Sequence, residues 1–275
     1  MPDLVVTADD FGVAIPVNEA VERAHREGIL TAASLMVAGG AADDAVARAR
    51  RLPRLGVGLH LVLVEGRPVL PPSEVPDLVG RDGRFRIDMA RLGFAIAVRP
   101  AVRRQLRREI EAQFAAFAAT GLAFDHVNAH KHFHVHPIVA GMVLAAAQRY
   151  GVRALRAPVE PGRPRGTGWL ALPFAQSLRR RARRRGMAAP DQVYGLAASG
   201  HMDLDRICAA AVALPEGLSE LYLHPATCDE FDGHGPAYRH REEYEGLLDP
   251  AARAALAQRG ARLGSFTDFA GRPAR

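Results

Sequence analysis

The chain has 275 residues, 48% of them hydrophobic and 24% charged, a composition with room for a sizeable core and unlike that of a disordered or collagen-like chain. Two cysteines, Cys208 and Cys228, cannot make a disulfide framework or a four-thiolate zinc site, and no apolar run is long enough to span a bilayer. The net charge of +6 admits an acidic partner, but Lys131 is the single lysine among 36 basic residues, so the excess reads as an Arg-rich composition as much as a binding surface.

Met1-Pro2-Asp3-Leu4 lacks the basic-then-apolar order of a signal peptide, so a reducing, cytoplasmic setting is expected. Leu4 to Ala8 is a short β-branched run ending at Asp9-Asp10. Beyond Pro16, Val17, Ala20, Val21 and Ala24 recur at helical spacing up to Gly28. Ser34 to Ala38 predicts a second strand, Ala42 to Arg51 a helix, and Val57 to Leu63 a third strand. A polar, Pro-rich stretch from Glu65 to about Asp88 predicts a long loop. From Pro100 to Thr120 the pattern is helical, with Leu106, Ile110, Phe114 and Phe117 on one face.

Ala123 to Asn128 predicts strand four, 138–150 a helix after Pro137, and 153–156 a fifth strand. A Pro/Gly/Arg-rich loop at 158–168 leads into helix up to Gly186. Gln192 to Tyr194, Glu220 to Leu223 and Ala261 to Phe266 predict further strands, with helices at 204–213 and 250–258. This alternation, without an internal repeat or a dividing linker, implies one domain over 1–275. The fold class is α/β: a distorted, TIM-barrel-like (β/α) barrel of about seven parallel strands. An open doubly wound sheet is the fallback, but the Gly-rich dinucleotide fingerprint after strand one is absent.

Chemistry collects at the strand ends. Asp9 and Asp10 are adjacent and point different ways, so one can hold a cation while the other faces a substrate; a capping role is the plainer alternative. His60, inside Gly58-Leu59-His60-Leu61, is either a hydrogen-bonded core histidine or a metal ligand. Five of the eleven histidines lie between His126 and His136. If that stretch is extended, His130, His132, His134 and His136 share one face, a spacing that suits a borderline divalent cation. His224 closes the Glu220-to-Leu223 strand. Asp9, Asp10, His60, His130 and His224 therefore all fall at C-terminal strand ends, the face on which barrel enzymes build their sites. A carboxylate plus two imidazoles with open positions is a catalytic metal site.

The runs Thr7-Ala8-Asp9-Asp10-Phe11-Gly12, Gly58-Leu59-His60-Leu61, His126 to Pro137 and Leu223-His224-Pro225 resemble those of the YdjC/ChbG-like carbohydrate deacetylases. Val127 to His134 and Leu63-Val64-Glu65-Gly66-Arg67-Pro68 resemble the hopanoid-biosynthesis (HpnK) branch most. The resemblance implies divalent-metal-dependent removal of acetyl from an N-acetylated sugar, and the branch implies an N-acetylglucosaminyl hopanoid lipid. It implies Asp10, His60 and His130 as metal ligands, Asp9 as general base and His224 as general acid. Asn128 stands where the chito-oligosaccharide branch has Asp, which counts against soluble chitin fragments as substrate. His132 and His134 are left to substrate contact or to orienting the ligands, and His136 has no firm role. Zinc is favoured, with magnesium, manganese, nickel or iron also able to serve.

Two readings from other classes compete. Two histidines and a carboxylate also build the facial triad of a non-haem iron oxygenase, although the β/α alternation speaks against it and the spare carboxylate and acid histidine suit hydrolysis better. The arginine-rich run 178–185 and Arg103, Arg104, Arg107 and Arg108 raise a basic binding module, but no nucleic-acid motif or stacking platform accompanies them. A milder form has the 179–185 arginines and nearby Trp169, Leu170, Leu172 and Phe174 lean on an anionic membrane presenting a lipid-linked sugar, placing the protein peripherally on the inner membrane face.

Overall fold

A computed structural model describes residues 1–162 and 168–270. Strand β1 (Pro2–Phe11) is the hub of an all-parallel sheet. Its apolar run is buried on both faces, as a strand covered by helices on one side and barrel interior on the other requires. One edge of β1 pairs with β6 (Gly217–Leu223) from Pro2 to Ala8. The other edge is shared: β2 (Ala32–Leu35) takes its C-terminal half and the two-residue β7 (Arg262–Leu263) its N-terminal half. From β2 the sheet continues to β3 (Gly56–Leu61) and β4 (Val127–Ala129), and from β6 to β5 (Gln192–Tyr194).

The gap between β4 and β5 is crossed by residues 153–159. Arg156 N–H donates to Val127 O, Leu155 N–H to Ala188 O and Val193 N–H to Val159 O. The expected fifth strand is therefore a set of isolated bridges at Ala154 and Leu155 rather than a strand, because this segment changes partners every two or three residues. The sheet nevertheless curls into the expected distorted barrel. The part of the 158–168 loop at 163–167 lies outside the described residues.

Helix α1 (Ile15–Glu27) buries Val17, Ala20, Val21 and Ala24, as their spacing predicts. It ends where Gly28 passes under the carbonyl of Leu247, and an added Cβ there would collide with that oxygen. Helix α2 (Ala42–Ala49) follows β2. The excursion expected as loop holds a 3-10 turn (Pro72–Glu74) and an antiparallel bridge, Val79 to Phe85. After it comes a helix that the hydrophobic pattern does not reveal, α3 (Met89–Val98), capped by the Asp88 side chain. The excursion is tied down by α4 (Pro100–Ala119): buried Glu109 accepts from Val69 and Leu70 N–H, and Gln113 brackets the Val62 peptide. Leu106, Ile110, Phe114 and Phe117 form the expected buried face of α4.

Helices α5 (Pro137–Arg149), α6 (Gly168–Arg183), α7 (Leu204–Ala213), α8 (His240–Leu248), α9 (Pro250–Arg259) and the short α10 (Phe266–Phe269) complete the outer layer. Strands β2, β3, β4 and β7 are displaced or shorter than their apolar runs, since pairing stops where the chain turns out at the barrel rim. Among the described residues no helix is long and apolar enough to cross a membrane.

Candidate active site

At the end of β1 the register with β2 slips between Ala8 and Phe11, and Asp10 adopts a left-handed φ of 61°. A bulge of this kind re-aims side chains, and Asp is among the residues that tolerate such a backbone. The two carboxylates are thereby sent to different partners. Asn18 of α1 pins the turn, accepting from Gly12 N–H and donating to Ala41 O and Asp44.

Asp10 meets His60 and His130. Its Oδ1 lies 3.2 Å from His60 Nε2 and 3.1 Å from His130 Nδ1, and those two nitrogens are 3.5 Å apart. The three ligand atoms lie within 4.8 Å of one another. The second nitrogen of each imidazole faces an oxygen: His60 Nδ1 lies 2.7 Å from Asn128 Oδ1, and His130 Nε2 faces Glu65 at 3.9 Å. An imidazole held through one N–H presents a lone pair on the other nitrogen, as a metal-ligating histidine does. Burial alone would lower the pKa of His130, but Asp10 and then Glu65 raise it to about 9. A centre that draws a proton onto an imidazole has charge to offer a cation, so the donor set fits a divalent metal.

Asp9 is 2% exposed and faces the other way. Its Oδ1 accepts from Ser34 (3.1 Å), Asn128 Nδ2 (3.0 Å) and Arg156 Nη2 (3.0 Å), and Oδ2 from Arg156 Nη1 (2.5 Å). Burial would raise its pKa, but Arg156, with His60 and His224, holds it well below the usual carboxylate range. Arg156 is itself fully buried and also donates to Glu220 of β6, whose Oε1 takes the Thr7 hydroxyl. Sequence reasoning missed Arg156 and Glu220. Glu220 was visible as a charge inside an apolar strand, whereas Arg156 looked like one arginine among many.

The histidine tract does not stay extended. His130–Val135 forms a 3-10 turn with Lys131 and His132 both at φ 53°, so the expectation of four histidines on one face fails. The turn sends each ring elsewhere. His130 joins Asp10, His132 Nε2 lies 3.1 Å from Tyr222 OH, and His134 Nε2 lies 2.8 Å from the Arg156 carbonyl. Burial holds His134 neutral, with a pKa of about 4. His136 sits under Gly93 of α3. Asn128 is fully buried with both ends of its amide engaged. It therefore couples His60 to Asp9, the orienting role of a group that stands behind the ligands.

His224 follows β6 and is 9% exposed. Its peptide is clamped: N–H donates to Glu243 at 2.5 Å, and the carbonyl lies 2.6 Å from His240 Nδ1. Among the described residues its ring Nδ1 has no hydrogen-bond partner, which leaves the imidazole open to a ligand. Burial pushes its pKa down to about 4 against the pull of Asp10 and Asp9.

A family model described as YdjC-like protein matches residues 3–258. The human carbohydrate deacetylase is 36% identical over 97% of this chain and 90% of its own length. The chitooligosaccharide deacetylase of Serratia marcescens is 32% identical, covering 97% of this chain and 98% of its own. A crystal structure from Enterococcus faecalis V583, a proposed cellobiose-phosphate cleavage protein, superposes with a TM-score of 0.80 at 23% identity, over 98% of this chain and 99% of that one.

Proposed function

The chain belongs to the YdjC-like protein family, and from that premise we propose that it is a divalent-metal-dependent hydrolase releasing acetate from an N-acetylated sugar. Residues 1–275 act as one deacetylase unit. The observation that carries this reading is the division of labour between neighbours: Asp10 faces two imidazole nitrogens while Asp9 is turned onto Arg156. Asp10, His60 and His130 hold the cation, which when bound lowers the pKa of a water and polarises the acetyl carbonyl. Zinc suits two imidazoles and a carboxylate; magnesium or another transition metal is accommodated by the same donors.

Asp9 is the general base. It stays ionised, and among the described residues its Oδ2 carries only the Arg156 bond, leaving lone-pair capacity for the proton of the attacking water. His224 is the acid. It enters neutral, takes up the proton that Asp9 has drawn from the water and hands it to the departing amine, whose C–N bond does not break productively without it. Asp9→Asn or His224→Ala is expected to retain metal and lose roughly 100-fold or more in kcat, whereas His60→Ala loses both metal and turnover. Acetate release and metal content, measured together, check this. Near-normal kinetics in Asp9→Asn removes the base assignment.

We read the substrate as a lipid-linked sugar, an N-acetylglucosaminyl hopanoid of the HpnK branch, with chito-oligosaccharides as the alternative. Its support is apolar surface on two helices that touch the 130–136 segment. α6, which packs against the 130–135 turn, exposes Trp169 (63%), Leu170 and Phe174; α3, which leans on His136, exposes Phe94 (69%) and Val98, with Ile87 just before it. The arginines of α6 contribute less to a membrane contact than their number suggests. Arg179 and Arg183 bond around Asp191 and Arg181 bonds to Pro137 O. Arg183, the last residue of α6, lies about 21 Å along the helix from Trp169. Metal-restored acetate release from the hopanoid but not from N,N′-diacetylchitobiose supports the lipid substrate; release from the soluble sugar alone overturns it and keeps the chemistry.

A further inference from the structure

Behind Asp9 lies a buried polar chain that the hydrolytic reading leaves without a task. Asp125 and His126 precede β4, Ser34 belongs to β2, and all three are at most 4% exposed. Asp125 Oδ2 is 2.9 Å from His126 Nδ1, His126 Nε2 is 2.9 Å from Ser34 Oγ, and Ser34 Oγ is 3.1 Å from Asp9 Oδ1. Carboxylate, imidazole and hydroxyl in this order are the parts of a serine nucleophile. Ser34 is nevertheless fully buried and also receives Asn128 Nδ2 at 2.8 Å, so no substrate carbonyl reaches it.

Counting protons fixes the direction of each bond. Asp9 is gripped by the Arg156 fork on both oxygens, and a carboxylate so held only accepts. The one proton of Ser34 therefore points at Asp9 Oδ1. Ser34 Oγ must then accept from its other neighbours, Asn128 Nδ2 and His126 Nε2. Asp125 is likewise an acceptor, taking the N–H groups of Phe266 and Thr267, so His126 Nδ1 donates to it. Both ring nitrogens of His126 are donors.

We propose that His126 is a positioning residue for the base. By donating to Ser34 it commits the Ser34 proton to Asp9 Oδ1, which is then filled by Ser34, Asn128 and Arg156. Oδ2 is left as the oxygen that meets the water, and the carboxylate is held against rotation. The ring's own place is fixed from two sides. Phe266 packs on it at 4.6 Å between centroids, and β3 has Gly58 where any Cβ would stand 2.5 Å from the imidazole. The proposal rests on Asp9 being the base.

Nitrogen-15 NMR of the intact, metal-loaded enzyme, with His126 assigned by loss of its signals in His126→Phe, reads the chain without turnover. Both His126 nitrogens are expected to bear protons. Ser34→Ala is expected to lower kcat roughly ten- to a hundredfold while KM and bound metal stay as in the wild type. An unprotonated His126 nitrogen overturns the proposal, as does wild-type kcat in Ser34→Ala when Asp9→Asn is inactive. An active Asp9→Asn overturns the base assignment instead, so the two failures are told apart.

Discussion

Asp9 and Arg156 form a buried pair that Glu220 extends into a carboxylate–guanidinium–carboxylate row. A row of this kind is costly to assemble and more costly to break, because removing the middle charge strands two buried anions. Arg156→Met is expected to lower unfolding free energy by about 3–5 kcal/mol, read from urea midpoints. Glu243 gives a second test at this scale. Burial lifts it from an ordinary 4.5 to about 7 while it holds the peptides of Met202 and His224. Its folded pKa exceeds its unfolded one, so the stability linked to it is complete below pH 4.5 and is lost as pH rises through 7. The loss amounts to about 3 kcal/mol. Urea midpoints at pH 5 and 8 should show that decline in the wild type and much less of it in Glu243→Gln. Sequence reading named Asp9, Asp10, His60, His130 and His224 because their chemistry is unusual for strand ends. Arg156, Glu220, Ser34 and Glu243 are ordinary residue types whose roles arise from partners 19 to 213 positions away.

The same division appears among the elements. Helices α1, α4, α7 and α9 were legible because each carries one apolar stripe against the barrel. α3 was not: it buries Leu92 and Ile96 but shows Phe94 and Val98 to solvent, so no polar face marks its period. The turn at His130–Val135 escaped because two consecutive non-glycine residues at positive φ have no local sequence signal. The apolar surfaces of α3 and α6 make their own prediction. Phe94→Ser with Trp169→Ser is expected to reduce co-sedimentation with anionic liposomes while leaving acetate release from a soluble substrate, where detectable, unchanged. Liposome binding that the double substitution does not alter would remove the membrane contact. The arginines at the far end of α6 are expected to matter less than these two rings.

Across the whole molecule, the three proposed ligands come from β1, the end of β3 and the turn after β4, so a cation held as proposed would tie three separate stretches of chain together. Metal binding to the folded state alone stabilises it by about 2.7 kcal/mol at a free concentration 100 times Kd. Chelation should therefore lower Tm by roughly 5–10 °C for a chain of this size, an effect that His60→Ala abolishes in a thermal melt. The late partners of β1 have a consequence for how the protein is made. β1 pairs with β6 more than two hundred positions later and with β7 later still, and Asp125 is capped by Phe266 and Thr267. At ribosomal speeds of about 5–20 residues per second, the central strand must wait roughly 10–40 s for its main partner. Through that interval the nascent chain carries an apolar edge open to pairing with other chains. An apolar edge left open during synthesis is the kind of surface that chaperones cover.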